Sequence, residues 1–357
     1  VHDGPAIVYD RSKCILCGRC VQVCHDVQVT GAIDYFGRGL ATRVSLPPGH
    51  SREQSVCTEC GNCIEVCPTG ALSPAGAEAA GREWELRDVE TACPYCGCGC
   101  TVVLKVRDRR IVKVAGAPPR GTGGGWLCVK GRFGYHFVGH PDRLTTPLVR
   151  DARGGELRPA SWDEALDLVA RRLGEARRRF GPDAVAGLAS AKCTNEENYL
   201  MQKLLRAAVG TNNVDHCARL CHASTVAGLA CAFGSGAMTN SIADLEQAGC
   251  IFVIGSNTTE CHPVIGAAIK RAARRGVPLI VADPRTIELT EHAAVHLRQR
   301  SGTDVALVNA MMHVILAEGL EDRAFLAERA EDFEPLRDSL EPYTPQLAER
   351  ITGVPAA

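Results

Sequence analysis

Two stretches, CILCGRCVQVC at residues 14–24 and CTECGNCIEVCP at residues 57–68, decide how the first part of this chain folds. Each spaces four cysteines as C-x2-C-x2-C-x3-C: Cys14, Cys17, Cys20 and Cys24, then Cys57, Cys60, Cys63 and Cys67, with Pro68 after the last. Three thiolates two residues apart on a tight loop can wrap three irons of one cubane, and the fourth, a short step on, faces away and serves the neighbouring cubane. The spacing predicts one [4Fe–4S] cluster on Cys14, Cys17, Cys20 and Cys67, and a second on Cys57, Cys60, Cys63 and Cys24. Gly18 and Gly61 let the backbone bend around sulfur. A tetrahedral zinc site would want four ligands, usually as two separated pairs, which these runs do not offer.

A third run, CPYCGCGC at 93–100, is followed by Cys128 in GGGWLCVKG, so five cysteines compete for four places. A C-x2-C-x3-C loop with a distant fourth ligand selects Cys93, Cys96, Cys100 and Cys128 and leaves Cys98 spare. The intervening TVVLKVRDRRIVKVAG reads as two strands around a turn at Asp108–Arg109, which predicts a small β-rich domain. A zinc knuckle is the alternative for this run. Three clusters on one chain imply a wire between a two-electron reaction and an outside acceptor.

The remaining composition is that of an ordinary globular chain. Its 357 residues, 45% hydrophobic and 23% charged, leave room for two or three domains. A formal net charge of −1 gives no global field toward nucleic acid or acidic lipid, and ARRRF at 176–180 reads as the solvated side of a helix. There is no apolar run long enough for a membrane span, no signal peptide and no twin-arginine leader, so a cytoplasmic location is expected. Nineteen cysteines with thirteen before position 130, in a large chain without a leader, argue against a disulfide scaffold. The start at Val1 and the end at ITGVPAA are both expected to be truncations.

From about residue 149 the pattern becomes α/β. SWDEALDLVARRLGEARRRFG predicts a helix opened by a capping box of Ser161 and Glu164, with Trp162, Ala165, Val169, Leu173, Ala176 and Phe180 on one face. AVAGLAS, CIFVIGSN and VPLIVADP read as strands; NEENYLMQKLLRAAVG, PVIGAAIKRAARRG and TDVALVNAMMHVILAEG read as helices. The alternation predicts a doubly wound parallel sheet, with ligands beyond the carboxyl ends of its strands. GSNTTE (255–260) and DPRTIE (283–288) lie there, and Asn257, Asp283 and Arg285 suit a polar, phosphate-bearing cofactor. Neither loop is a G-x-G-x-x-G, so no ordinary NAD site is indicated. The predicted segments are a two-cluster domain over 1–80, a third-cluster domain over 88–148, and an incomplete α/β domain over 149–357.

CARLCHAST (217–225) sets Cys221 beside His222, and a lone cysteine in such a stretch is usually a small buried hydrophobe. The order of motifs changes that reading. CPYCGCGC…LCVKG, TNEENYLMQKLLRAAVGTNNVDHCARLCHASTVAGL, GSNTTECHPVIGAAIKRAARRG and DPR together resemble the molybdopterin formate dehydrogenases over residues 88–357. Residues 1–80 resemble the two-cluster ferredoxin segment of the soluble, NAD-linked members, and also the large electron-transfer subunit of respiratory complex I.

The resemblance implies that Cys221 ligates molybdenum or tungsten and that His222 stands over the metal and takes part in formate oxidation. It implies that Lys130 lies between the third cluster and a pterin, and that Gly255, Asn257, Asp283, Arg285, Gly302, Thr303 and Asp304 hold one guanine dinucleotide of a bis-molybdopterin guanine dinucleotide. A substrate-anchoring arginine and much of the second pterin's site would lie beyond residue 357. The residues agree chemically: a soft thiolate suits such a metal, and ASTVAGLACAFG looks helical, so its N-terminus would favour the Cys221 thiolate. Cys193, Cys217, Cys231, Cys250 and Cys261 are expected as small buried residues. The expected partners are formate or CO2 and an electron-accepting subunit, of diaphorase type with flavin and NAD or another kind. The competing readings are a non-catalytic, complex I-like electron-transfer subunit and a nitrate reductase-like oxidoreductase; relatives that reduce nitrate typically follow the cysteine with methionine, not histidine.

Overall fold

The computed structural model describes residues 6–47, 54–76 and 81–356. They sort into two compact units, one of residues 1–133 with 241–357 and one of residues 134–240. The sequence-based boundary at residue 80 falls outside the described residues.

The first segment is built from very short elements: β1 (Ile7–Tyr9), α1 (Arg19–Gln22), β2 (Asp34–Phe36), β3 (Arg43–Ser45), α2 (Asn62–Glu65) and β4 (Leu72–Pro74). β1 pairs antiparallel with β4, and β2 with β3. Ile7, Tyr9, Ala32, Ile33, Val44, Leu46, Ala71 and Leu72 form a small core, and Cys14, Cys20, Cys24, Cys57, Cys63 and Cys67 pack against it. Both cysteine loops repeat one backbone path. Leu16 (φ 56) and Gly18 (φ 75) in the first match Glu59 (φ 50) and Gly61 (φ 71) in the second. Two left-handed residues in three positions curl the chain around its own sulfurs, which a side chain other than glycine resists.

The β-rich segment has three antiparallel strands, β5 (Arg87–Ala92), β6 (Thr101–Arg107) and β7 (Arg110–Ala115), in the order β5-β6-β7. Asp108 (φ 49) and Arg109 (φ 61) make the two-residue turn of the left-handed kind that matches strand twist. β5 was not foreseen. The next helix, α3 (Val129–Phe133), follows Cys128 directly.

In the second unit, β8 (Leu148–Val149) pairs with β9 (Arg158–Pro159). The long α4 (Trp162–Phe180) then leads to β10 (Gly187–Ala189), α5 (Asn195–Lys203), β11 (Val214–His216), α6 (Ala218–Cys221) and α7 (Ala223–Phe233). The capping box is only half formed: the Ser161 hydroxyl accepts the Glu164 N–H at 3.1 Å, but the Glu164 carboxylate turns to Arg158 at 2.6 Å. The helical stripe is likewise only partly buried. Leu173 and Ala176 pack on Val185, Leu205 and Val209, whereas Trp162, Val169 and Phe180 stay exposed. β10 and β11 make a sheet of only two strands, too narrow to cover a 19-residue helix. The helix predicted to run to Gly210 changes to π-helical geometry over Leu204–Val209 before Gly210 ends it at φ 86.

Back in the first unit, β12 (Ile251–Ile254), α8 (Thr258–Cys261), α9 (Pro263–Arg274), β13 (Leu279–Ala282), β14 (Val295–Leu297) and α10 (Asp304–Ala317) form a parallel α/β layer. α9 lays Ile269 and Ala272 on Ile251, Val253, Leu279 and Val281. The chain ends in α11 (Arg323–Arg329), α12 (Phe333–Leu340) and α13 (Pro345–Thr352). Parallel pairing and α/β alternation are as expected; a doubly wound sheet is not what forms. β12-β13-β14 run in one direction with no reversal of order, and β10-β11 is a separate sheet in the other unit. Among the described residues β12 pairs only with β13, so no order reversal, the mark of a doubly wound sheet, is present in them.

Candidate functional site

Three cavities collect the cysteine runs. One is lined by Cys14, Cys17, Cys20 and Cys67; a second by Cys24, Cys57, Cys60 and Cys63. The third is lined by Cys93, Cys96, Cys98, Cys100 and Cys128. In each of the first two cavities three cysteines of one run lie with the last cysteine of the other. α1 carries Cys20 and the π-helical turn Val23–Val27 carries Cys24, so one rigid stretch feeds both cavities. The Sγ of Cys24 accepts the Ala32 N–H at 3.2 Å, and the Sγ of Cys67 accepts the Leu72 N–H at 3.4 Å.

These geometries suit a cluster better than an ion. Among the described residues no group of three or more His, Cys, Asp or Glu converges closely enough to hold a single metal ion. A cubane takes four thiolates spread around a cluster, whereas a tetrahedral zinc takes four converging on one ion. Burial pushes the Cys20 and Cys60 thiols up to about 11, so bare thiolates are disfavoured there without a positive centre to neutralise them. In the third cavity a hydrogen bond to Cys100, reinforced by burial, pushes the Cys98 thiol up, and the same bond holds Cys100 below the usual thiol range. Cys98 therefore sits as a proton donor to its neighbour.

Cys60 of the second cavity and Cys128 of the third border one common space, with Lys130, Lys270 and Glu288 around it. Arg132 fixes that approach. Its Nε donates to the Cys60 carbonyl at 2.9 Å, and its two terminal nitrogens donate to Glu65 at 2.6 Å and Asn62 at 3.1 Å. Asn62 in turn donates to the Leu127 carbonyl and accepts the Leu127 N–H, at 3.1 and 3.4 Å. Arg132 was not singled out from the sequence, nor were Pro263 and Val264, and Cys261 was expected only as a small buried residue. The last three line the third cavity from the α8–α9 junction, and only tertiary contact brings them there.

The sheet edge supplies a second kind of site. Gly255 and Asn257 follow β12, Asp283 and Arg285 follow β13, and Gly302, Thr303 and Asp304 follow β14, so all seven expected residues lie at carboxyl ends of parallel strands. Asp283 is buried, its carboxylate accepting the Arg285 N–H at 2.8 Å and its carbonyl 2.9 Å from His296 Nε2. Gln299 is a residue that sequence reasoning missed. It is 2% exposed and donates to Asp304 at 2.8 Å, while its Oε1 is buried with no partner among the described residues. A buried, unpaired amide oxygen at a strand-end edge is costly unless a ligand supplies a donor. The edge fits a polar group such as a nucleotide.

Cys221 and His222 lie in the other unit, after β11 and thus at the carboxyl end of its two-stranded parallel sheet. Cys221 closes α6. His222 gives its N–H to Ala218 at 3.1 Å and its carbonyl to the Val226 N–H at 2.9 Å, so its backbone joins α6 to α7. Cys221 thus stands just before the N-terminus of an 11-residue helix, as expected. Both side chains are exposed among the described residues. The adjoining loop after β10 is tied in by the Ala191 N–H, which reaches the Cys217 Sγ at 3.4 Å. Cys193, Cys217, Cys231, Cys250 and Cys261, expected as buried small residues, are all exposed, because they sit at element ends or on the free face of α7. Lys130 is exposed too, bordering the third cavity. No helix of the described residues is long and apolar enough to cross a membrane.

Comparison with known proteins follows the same division. Residues 4–73 match the ferredoxin-like domain of NADH-quinone oxidoreductase subunit 3, and residues 86–140 the molybdopterin oxidoreductase Fe4S4 domain. Curated relatives include the F420-dependent formate dehydrogenase 1 subunit alpha of Methanococcus maripaludis, 47% identical over 76% of this chain and 39% of that one. Formate dehydrogenase H of Escherichia coli is 45% identical over the same shares, and a probable oxidoreductase of Bacillus subtilis 38% identical over 98% of this chain and 39% of its own. The chain spans about two fifths of the length of these relatives. Among solved structures, acetylene hydratase from Pelobacter acetylenicus superposes with a TM-score of 0.64 at 27% identity, over 75% of this chain and 37% of that one. The profile of the molybdopterin oxidoreductases covers residues 143–338, more than half the sequence, and with it this chain belongs to the molybdopterin oxidoreductase family, whose members carry a molybdenum–pterin group alongside iron–sulfur chemistry.

Proposed function

We propose that this chain is part of the catalytic subunit of a molybdenum- or tungsten-dependent formate dehydrogenase, interconverting formate and CO2. The observation that carries the reading is the Cys221–His222 pair after a parallel strand, in a chain whose relatives include a formate dehydrogenase alpha subunit and formate dehydrogenase H. The fold alone would not decide it, since a hydratase shares it. A non-catalytic, complex I-like role draws support only from residues 4–73 and leaves Cys221 and His222 without a task.

In this reading Cys221 supplies a soft thiolate to the metal, and Gly255, Asn257, Asp283, Arg285, Gly302, Thr303 and Asp304 hold one guanine dinucleotide of a paired pterin cofactor. A metal–pterin group held there would supply the acceptor for the two electrons of formate. His222, free of any hydrogen bond through its ring among the described residues, takes up or steers the proton that formate releases. Lys130, on the first turn after Cys128, places a positive charge between the third cavity and the pterin. The segments 1–80, 88–148 and 149–357 then divide the work into two-cluster relay, first electron acceptor and catalytic fold, and the electrons pass to a partner subunit. Metal analysis joined to formate-driven dye reduction tests the whole. Molybdenum or tungsten without formate turnover would overturn it.

Two further expectations concern the clusters. Fully loaded protein should hold about twelve irons, four for each of three cubanes. An anaerobic iron count near eight would mean that one run is not a site. Cys98→Ser should leave the third cluster's EPR signal in place, because serine keeps a donor at a position that is not a ligand, whereas Cys96→Ser should lose it. The reverse result would reassign the ligands.

A further inference from the structure

The two cysteine loops are copies of one another, and the structure uses them differently. Cys17 corresponds to Cys60, Gly18 to Gly61 and Arg19 to Asn62. In the second copy this face is mated. Asn62 is fully buried against Leu127, and a Cβ on Gly61 would lie 2.3 Å from the Arg132 side chain. In the first copy the equivalent face is open. Arg19 is exposed, and Cys17 is the only exposed cysteine of the twelve assigned to clusters. A half-exposed ring, Tyr35, stands over Gly18 where Arg132 stands over Gly61, its hydroxyl donating to the Leu16 carbonyl at 3.3 Å.

The chemistry of the open face is distinctive. Ile15 is 64% exposed and Leu16 41%, and Leu40 at the tip of the β2–β3 hairpin is fully so. Residues 11–20 carry Arg11, Lys13 and Arg19 and no acid, while the matching residues 54–63 carry Glu59 and no cation. Lys13 pairs with Asp10 at 3.1 Å; among the described residues no ion pair engages Arg11, Arg19 or, on the hairpin, Arg38. An apolar centre ringed by unpaired cations is the complement of an acidic protein surface, and it lies directly over the exposed end of the wire.

We propose that the face around Cys17 is where electrons leave this chain, and that its partner is an acidic one-electron carrier protein docking through Arg11, Lys13, Arg19 and the apolar patch. The copy that is mated receives electrons from the third cavity, and the copy that is open hands them on. Each encounter oxidises the chain by one electron and reduces the carrier by one, so two encounters discharge the two electrons of one formate, and its proton goes to solvent. The proposal rests on the three-cluster reading above.

The test uses the full-length holoenzyme and an acidic [2Fe–2S] ferredoxin as probe, with the enzyme reduced by stoichiometric dithionite so that failure of formate chemistry cannot mask the result. Electron transfer to the ferredoxin should slow steeply as ionic strength rises. Arg11→Glu/Lys13→Glu/Arg19→Glu should lower its low-salt rate about tenfold or more, and weaken binding of oxidised ferredoxin in parallel. Reduction of benzyl viologen, a small cation, and the EPR signals of the clusters should be unchanged. The single variant Arg19→Glu should give a smaller loss of the same kind. An unchanged ferredoxin rate in the triple variant overturns the proposal, as does an equal loss with benzyl viologen. A maleimide that fails to label Ser12→Cys in the native holoenzyme also overturns it, since the face would then be covered by another part of the polypeptide.

Discussion

Cys221→Ser is expected to abolish formate-dependent dye reduction, and His222→Ala to lower it at least about a hundredfold, within the range lost when a positioned acid–base group is removed. The structure separates these effects from folding. Both side chains are exposed, and neither makes a side-chain hydrogen bond among the described residues. The backbone of His222, which joins α6 to α7, is left intact by alanine. A packing role would therefore predict almost no change from either substitution, since surface replacements away from special features usually stay within about 0.5 kcal/mol. A chemical role predicts a large one. Serine offers a hard, mostly protonated hydroxyl in place of a soft thiolate. The cofactor can remain bound in Cys221→Ser through the contacts proposed for Asn257, Asp283 and Arg285, so turnover must be normalised to molybdenum or tungsten content. His222→Ala should retain the metal and all three clusters. Near-normal turnover per metal in either variant would sink the catalytic assignment.

What could be read from the sequence and what could not divides along physical lines. Cluster cysteines are legible because a cubane imposes fixed spacings on one loop, and the structure gathers Cys14, Cys17, Cys20 and Cys67 in one cavity and Cys24 with Cys57, Cys60 and Cys63 in the next. The Asp108–Arg109 turn is legible because strong alternation flanks it. β5 is not, because RDVETA is charged on both faces and offers no apolar period. Nor is the buried oxygen of Gln299, since a single amide in a loop has no spacing to betray it. The apolar stripe of α4 is present in the sequence, but a period says only that a face could be buried, not that something lies there to bury it. Of the parallel strands β10, β12 and β13 were read from the sequence, and β11 and β14 were not, because three residues such as VDH or VHL are too few to show an apolar period.

The second large effect is structural and centres on Arg132, which no motif signals. Its guanidinium is 3% exposed and ties together the Cys60 carbonyl, the Asn62 amide and the Glu65 carboxylate, whose Oε2 also accepts the Gly116 N–H at 3.2 Å. One planar fork thus joins the loop of the second cavity, through Glu65, to Gly116 and to Arg132 itself in the segment that carries the third. Arg132→Met fills much of the same volume but strands a partly buried carboxylate, and removing one partner of a fully buried pair costs about 3–5 kcal/mol, which sets the upper bound here. The expected result is a large drop in the urea midpoint for loss of the iron–sulfur absorbance. Arg132→Lys keeps the charge yet cannot reach three acceptors at once, so it should fall between wild type and Arg132→Met. Glu65→Gln combined with Arg132→Met should cost less than the two singles added, because the stranded charge is gone in the double variant. A shift in Arg132→Met of no more than about 0.5 kcal/mol would show that the guanidinium is an ordinary surface group and that the two cluster-bearing segments are held together by something else.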